Sequence, residues 1–509
     1  MRITNFSDEQ INKIRSRFKQ DGSFLGDADA EHDTQRSGWL EDLFVDSPEI
    51  TQGVTGKSLL VVGRKGSGKS AIRIASSLRS SGHVLPKRRV DTAASADDLL
   101  AAYKDISSSM GGTLSTPEGT VQAWQRTFVY LILKALARDL TNRPIVTRAD
   151  NAVRKWALDK GLVGIDWGEW LVDTAKRTMP KVEKALGKAV ASTPLTAEAI
   201  VETLNSTSFT ISVDDFDNIY SAEHKTQGVR TVQAAIEAAD RLSRRRDFSY
   251  ITLYMREDLW LLIRHNWHYL DKVTNVLDLN WNEQKLKAWT ERRLRKAAAE
   301  ALGVVPADVC VSFDGLWSVF FPLNIRLDDE STSHGFWYIL RKTMFTPRDL
   351  HKILTFCVKY SADLPVHPDV IPRAEIQYAQ DRIDFIANEF GSLCEGLSVC
   401  LNSFAGKPLE WNSSNLYKHL KGMVDTGQVK LAPGASLGQT DEVALARFLF
   451  RVGFLEVRIP QENRFEVRDG VRYPEYWTGI RRDDSVKWAV RSAFFRYLRS
   501  HSDIQRFFV

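Results

Sequence analysis

The stretch VVGRKGSGKS, residues 61–70, has the residue types and spacing of a loop that wraps phosphates. Gly63, Gly68, Lys69 and Ser70 match G-x-x-x-x-G-K-[ST], with Gly66 and Ser67 adding flexibility. Each type has a physical task. Glycines let successive backbone N–H groups turn inward as an anion nest, and the helix that follows adds the positive end of its dipole. Lys69 would reach the β- and γ-phosphates, and the Ser70 hydroxyl would ligate Mg²⁺. The candidate nucleotide-binding set is therefore Gly63, Gly66, Ser67, Gly68, Lys69, Ser70 and Ala71. A Gly-rich turn with a surface lysine is the plainer alternative.

A metal-bound phosphate also needs acids. SFTISVDDFDNIY (208–220) puts Asp214 directly after the apolar run Phe209–Val213, at the carboxyl end of a buried strand. There it would serve Mg²⁺, together with Ser70. Asp215 beside it is placed to polarise an attacking water, whereas Asp215 and Asp217 could equally cap the next helix. Arg256, in YMRED, ends the following strand and faces the same edge. Its guanidinium suits a γ-phosphate or a neighbouring subunit's nucleotide, or else a structural pair with Glu257 or Asp258. Arg348, in TMFTPRDLHKIL, opens a later helix and is a candidate lid residue over the nucleotide. Lys69, Asp214, Asp215, Arg256 and Arg348 form the candidate catalytic set.

These residues need a scaffold of alternating strands and helices. Strands are expected at Ser58–Val62, near Val84–Val90, at 208–214, at 248–258 and at Val276–Trp281, with helices at Ser70–Arg79, Thr226–Arg245 and Glu283–Ala301. That alternation predicts an α/β fold with a parallel sheet covered on both faces. Apolar residues at helical spacing (Trp124, Phe128, Leu131, Ala135) predict another helix over 121–140, and 150–200 reads as further helices. Four segments are expected: an N-terminal helical segment 1–57, a core 58–302, a helical lid 303–400 and a C-terminal region 401–509. In the last, a helix leads into strands Phe454–Ile459 and Arg464–Arg468 around a turn at Pro460–Asn463, the pattern of a winged helix.

Taken in this order, the pieces resemble the AAA+/STAND superfamily of P-loop ATPases, in the branch related to replication-origin-recognition ATPases. The likeness is nearest to a prokaryotic family that carries the loop as GRKGSGKSAI, here Gly63–Ile72. LGDADAEHD (25–33), MREDLW (255–260), TPRDL (346–350) and VKWAVRSAFFRYL (486–498) fit that family too. The resemblance implies an ATP- and Mg²⁺-dependent core, a lid arginine at Arg348, a C-terminal winged helix, self-association, and a defence setting beside a separate protein effector. One departure stands out. The acid pair of AAA+ proteins is usually Asp then Glu, whereas Asp214–Asp215 carries the shorter second side chain, which suits slow hydrolysis and a switch.

Other classes fit less well. A small-molecule kinase has no use for about 200 residues beyond the core, no LSGGQ-like transporter signature lies between the two nucleotide motifs, and no nuclease, protease or deaminase constellation is visible. The chain contains no run of about 18 apolar residues. Its N-terminus is polar, and four scattered cysteines make neither a disulfide framework nor a zinc knuckle, so a reducing cytoplasm is expected. The whole net charge of +5 falls within 401–509. There Arg451, Arg458, Arg464, Arg468, Arg472, Arg481 and Arg482 lie among Phe454, Phe465, Tyr473, Tyr476 and Trp477. The rival reading is therefore a DNA-binding winged helix whose nucleotide site only stabilises the fold.

Overall fold

Apolar runs along three strands decide how the sheet is built. In the computed structural model, β1 (Leu60–Gly63), β2 (Arg88–Ser95), β3 (Thr207–Asp214), β4 (Ser249–Arg256) and β5 (Val276–Asp278) form one all-parallel sheet in the order β2-β3-β4-β1-β5. Leu60 and Val62, Ile211 and Val213, and Ile251, Leu253 and Met255 point to one face. There they share a core with the helices Ala96–Ser108, Pro117–Asn142, Lys225–Arg245 and Glu257–Ile263. The intervening residues Val61, Thr252 and Tyr254 are buried as well. Helices Pro48–Val54 and Lys69–Ser81 pack against the sheet, with Gly53 brought onto Leu277 and Ile72. A strand buried on both sides is what a parallel sheet requires. The expected α/β class is thus present.

Residues 1, 19–21, 46, 55–57, 82–87, 109–115, 143–206, 223–224, 246–248, 265–266, 328–329, 392, 433–440, 462–463, 470–486 and 501–509 lie outside the described structure. The helices expected over 150–200 fall among them.

The chain gathers into two compact units, Asp46–Leu279 and Met1–Val45 together with Asn280–Val509. This grouping differs from four consecutive segments, because the helix Glu283–Leu302 joins the N-terminal residues and not the sheet. The reason is a buried charge cluster. Arg293, 5% exposed, donates through Nε to the Leu25 carbonyl (2.8 Å) and through Nη2 to Asp33 Oδ2 (2.6 Å). Trp39 Nε1 donates to the same Asp33 oxygen (3.1 Å), and the Trp289 ring lies 3.9 Å from the Arg293 guanidinium carbon. Burial lowers Arg293 to about 10, with Asp33 opposing the shift. The LGDADAEHD segment is therefore a structural clasp in this unit.

Residues between 303 and 400 and the C-terminal residues also interlock within that unit. Glu375, on the helix Ile371–Phe390, accepts from Arg496 Nε (3.0 Å), and Arg491 Nη2 donates to the Thr343 carbonyl (2.9 Å). A helix Glu442–Arg451 does feed an antiparallel pair, Leu455–Gln461 and Arg464–Asp469. The sheet then continues through Lys487–Val490 to Glu410–Asn412. Cys357, Cys394 and Cys400 are buried free thiols and Cys310 is exposed. No helix among the described residues is long and apolar enough to cross a membrane.

Removing one partner of a buried ion pair leaves an uncompensated charge. Arg293→Ala is expected to lower the unfolding free energy by about 3–5 kcal/mol, measured by urea denaturation. Adding Asp33→Ala should cost much less than the sum of the single effects. Fully additive losses would mean that the pair does not hold the clasp together.

Candidate functional site

β1 ends at Gly63, β3 at Asp214 and β4 at Arg256, so three of the expected residues sit at the carboxyl edge of one sheet, where ligands of such sheets bind. β4 lies between the other two, and Gly63 is the register partner of Arg256.

The loop after β1 has the backbone its glycines allow. Gly66 and Gly68 adopt φ of 85° and 92°, a left-handed region closed to most side chains. A Cβ on Gly63 would lie 2.5 Å from Ser67 Oγ and 3.0 Å from Leu279 Cβ. The helix Lys69–Ser81 begins where the loop ends, with the Ile72 N–H bonded to the Gly68 carbonyl (3.0 Å). Ser67 is buried, while Ser70 and Ala71 are half-buried at the helix start.

Lys69 is 8% exposed, and its Nζ donates to the carbonyls of Gly63 (2.9 Å) and Arg64 (3.2 Å). No carboxylate pairs with it among the described residues. Burial lowers its pKa, while Asp217 and then Asp214 pull it back up. An ammonium solvated only by neutral oxygens has room for an anion.

The acids divide into different states. Asp214 Oδ2 accepts from Arg73 Nε (2.9 Å) and Oδ1 from the Asp215 N–H (3.0 Å). Asp215 is exposed and takes φ +49°, an uncommon backbone for a non-glycine residue. Burial and then Asp214 raise its pKa. Asp217 is more deeply set. Its side chain is 14% exposed, Oδ1 has no hydrogen-bond partner, and Oδ2 lies 4.0 Å from Arg256 Nε. Burial pushes Asp217 up to about 6, with Arg256 and Lys69 holding it lower. Arg256 itself is clasped by Asp258 through two bonds, 3.0 and 2.6 Å. That is the structural pair weighed against a phosphate contact. Nearby, Arg64 Nε meets Glu257 Oε2 at 3.2 Å.

Two features of the site were missed in the sequence. Arg73 stands four residues after Lys69, so helical spacing puts it on the same face, but its partner is 141 residues away. Asp217 reads as a helix cap until its burial is known. Arg348, by contrast, belongs to the other unit, where its Nε lies 3.5 Å from the Ala28 carbonyl. The rest of TPRDL is structural: Thr346 caps the helix Pro347–Tyr360, and the buried Asp349 pairs with Arg382 (3.3 Å).

No protein-family model matches the chain, and comparison with curated proteins gives no match. The site must be judged on its own chemistry. Its residues fit a nucleoside triphosphate with Mg²⁺: a loop with two left-handed glycines at a helix start, a buried ammonium, the Ser70 hydroxyl and the Asp214 carboxylate. Among the described residues no group of three or more His, Cys, Asp or Glu could hold a metal.

Asp217 gives a sign-specific test. An unfolded Asp ionises near its ordinary 3.8 and the folded one near about 6. Between those values the folded chain holds a proton that the unfolded chain lacks, so this group makes stability fall as pH rises through the window. Asp217→Asn should gain up to about 3 kcal/mol over wild type above pH ~6, and the gain should vanish below pH ~4. Urea denaturation across that range checks it; a difference independent of pH would refute a buried carboxylate with a raised pKa.

Proposed function

We propose that residues 46–279 bind ATP with Mg²⁺ at the loop Gly63–Ser70 and hydrolyse it slowly, and that the chain works as a nucleotide-dependent switch. The observation that carries this reading is Lys69: a buried ammonium held by two loop carbonyls and no carboxylate among the described residues, beside two left-handed glycines and a helix start. Such a constellation is suited to phosphates and to little else. Ser70 and Asp214 would hold the metal, whose chemistry is to neutralise charge on the phosphates. Asp215, exposed on a left-handed backbone, is suited to orient water. Asp217 is the second candidate for that role, since a carboxyl near about 6 accepts a proton at neutral pH. Arg256 would need to leave Asp258 at least in part to meet a phosphate, which suits a slow, regulated site.

The wider setting belongs to the same proposal: a homo-oligomer working in prokaryotic defence beside a separate protein effector, with Arg348 as lid arginine. DNA binding through a C-terminal winged helix has less behind it. Every residue of the helix Glu442–Arg451 except the half-buried Arg447 is buried, so that helix offers little surface to a groove. Arg451 is among the buried residues, and Arg458 pairs with Glu410 and Glu456. The side chains of Arg464 and Arg468, and all of Arg472, Arg481 and Arg482, lie outside the described structure.

Wild type should bind a fluorescent ATP analogue with Mg²⁺ and turn ATP over above a Lys69→Ala background, with and without duplex DNA. Lys69→Ala should weaken binding at least about tenfold, the scale of losing a charge-assisted hydrogen bond. Asp215→Ala and Asp217→Asn should bind normally and lose turnover. Equal binding by wild type and Lys69→Ala would overturn the proposal, and turnover raised by DNA would revive the DNA-linked reading.

A further inference from the structure

The carboxylate best placed to serve a metal already has a resident cation. Arg73 Nε donates to Asp214 Oδ2 at 2.9 Å, and the two side chains are only 17% and 19% exposed. The other Asp214 oxygen takes the Asp215 N–H at 3.0 Å. Arg73 rises from the helix that starts at Lys69, one turn on from the ammonium and from Ser70. It is therefore anchored to the phosphate loop itself, and its charge sits between the loop helix and the end of β3. The neighbouring arginines are committed elsewhere, Arg64 to Glu257 and Arg256 to Asp258.

We propose that Arg73 sets the metal demand of the site by competing with the divalent cation for Asp214. This rests on the nucleotide reading of the loop. A carboxylate held by a guanidinium is already neutralised, and a divalent cation brought to it meets a like charge at close range in a partly dehydrated place. Arg73 must yield or the metal must bind next to it; either way the metal is bound more weakly than Asp214 alone would bind it. The same pair has the opposite effect without metal. Arg73 masks the charge of Asp214 from incoming phosphates, so nucleotide can enter before the metal. Arg73 is in this sense a positioning residue, acting through Asp214.

Two opposed effects make the proposal testable by binding alone. Fluorescent ATP-analogue affinity would be titrated against Mg²⁺, and separately in EDTA, for wild type, Arg73→Gln and Arg73→Lys, with thermal melting to confirm folding. Arg73→Gln is expected to lower the Mg²⁺ concentration for half-maximal binding at least tenfold and to weaken binding in EDTA at least fivefold. Arg73→Lys, which keeps the charge, should stay near wild type in both. A folded Arg73→Gln protein with the wild-type Mg²⁺ midpoint and wild-type EDTA affinity would overturn the role of Arg73 and leave the nucleotide site standing. A parallel loss in both media would also overturn it, because a merely structural arginine gives that pattern. If Arg73→Gln does not fold, the two media are compared in Asp214→Asn, where removing the contested carboxylate should leave EDTA binding unharmed while abolishing the Mg²⁺ enhancement; weaker binding in EDTA would overturn the proposal. Wild type that binds no analogue under either condition would overturn the nucleotide reading and this inference together.

Discussion

A lysine ammonium buried at the carboxyl edge of a parallel sheet is the constraint around which residues 46–279 are organised. Lys69 cannot be dehydrated there without oxygens around it, and the loop folds back to give it two carbonyls. Further cations crowd the same edge, and each of the three arginines has a carboxylate: Arg64 with Glu257, Arg73 with Asp214, Arg256 with Asp258. These pairs do more than cancel charge. Arg64 ties the loop after β1 to the end of β4, and Arg73 ties the loop helix to the end of β3. The strand ends that frame the site are thereby fixed to one another by side chains of the site itself. What stays unmatched is Lys69, which has no carboxylate partner among the described residues, and one oxygen of Asp217.

Much of this edge was legible in the sequence because the chemistry is local. A strand, a glycine loop and a helix are contiguous, so Gly63 to Ser70 could be placed from spacing alone. Asp214 and Arg256 were legible for a related reason: each closes an apolar run, and a run of that kind in a parallel sheet ends at the ligand edge. Arg73 shows the limit. Its helical face follows from its distance to Lys69, but the choice of Asp214 as partner is made by a strand 141 residues on. Asp217 shows another limit, since a helix-capping acid and a buried carboxyl have the same sequence signature. The strand expected near Val84–Val90 lies at Arg88–Ser95, where Ala and Ser gave little β signal.

In the second unit the features that the sequence did not show share one cause, contacts between residues far apart in the chain. Asp33 and Arg293 are separated by 260 residues, so neither the clasp nor the transfer of helix Glu283–Leu302 to the N-terminal residues could be read from periodicity. In the C-terminal region the burial of one helix was legible in the sequence. In EVALARFLFR apolar residues occupy nearly the whole circumference of the helix, which is the pattern of a helix buried on all sides. Of the basic residues named there, Arg451 is buried in this helix, and Arg458, on the following strand, pairs with Glu410 and Glu456.

If the site takes nucleotide as proposed, its charge pattern suits a switch more than a fast hydrolase. A site built for turnover keeps its cations aimed at the position of the transferring phosphate, so that no reorganisation is needed during reaction. Here Arg256 is held by two bonds to Asp258 and Arg73 by one to Asp214. On the proposed reading, a metal-bound triphosphate that drew Arg256 or displaced Arg73 would trade one of these pairs for new contacts. Partly buried pairs of this kind resist exchange, since each leaves a dehydrated charge behind until the new partner arrives. Two arrangements of the same residues, one with arginines on carboxylates and one with cations on phosphates, then differ by contacts rather than by fold. That is the physical requirement for a two-state element that nucleotide can bias.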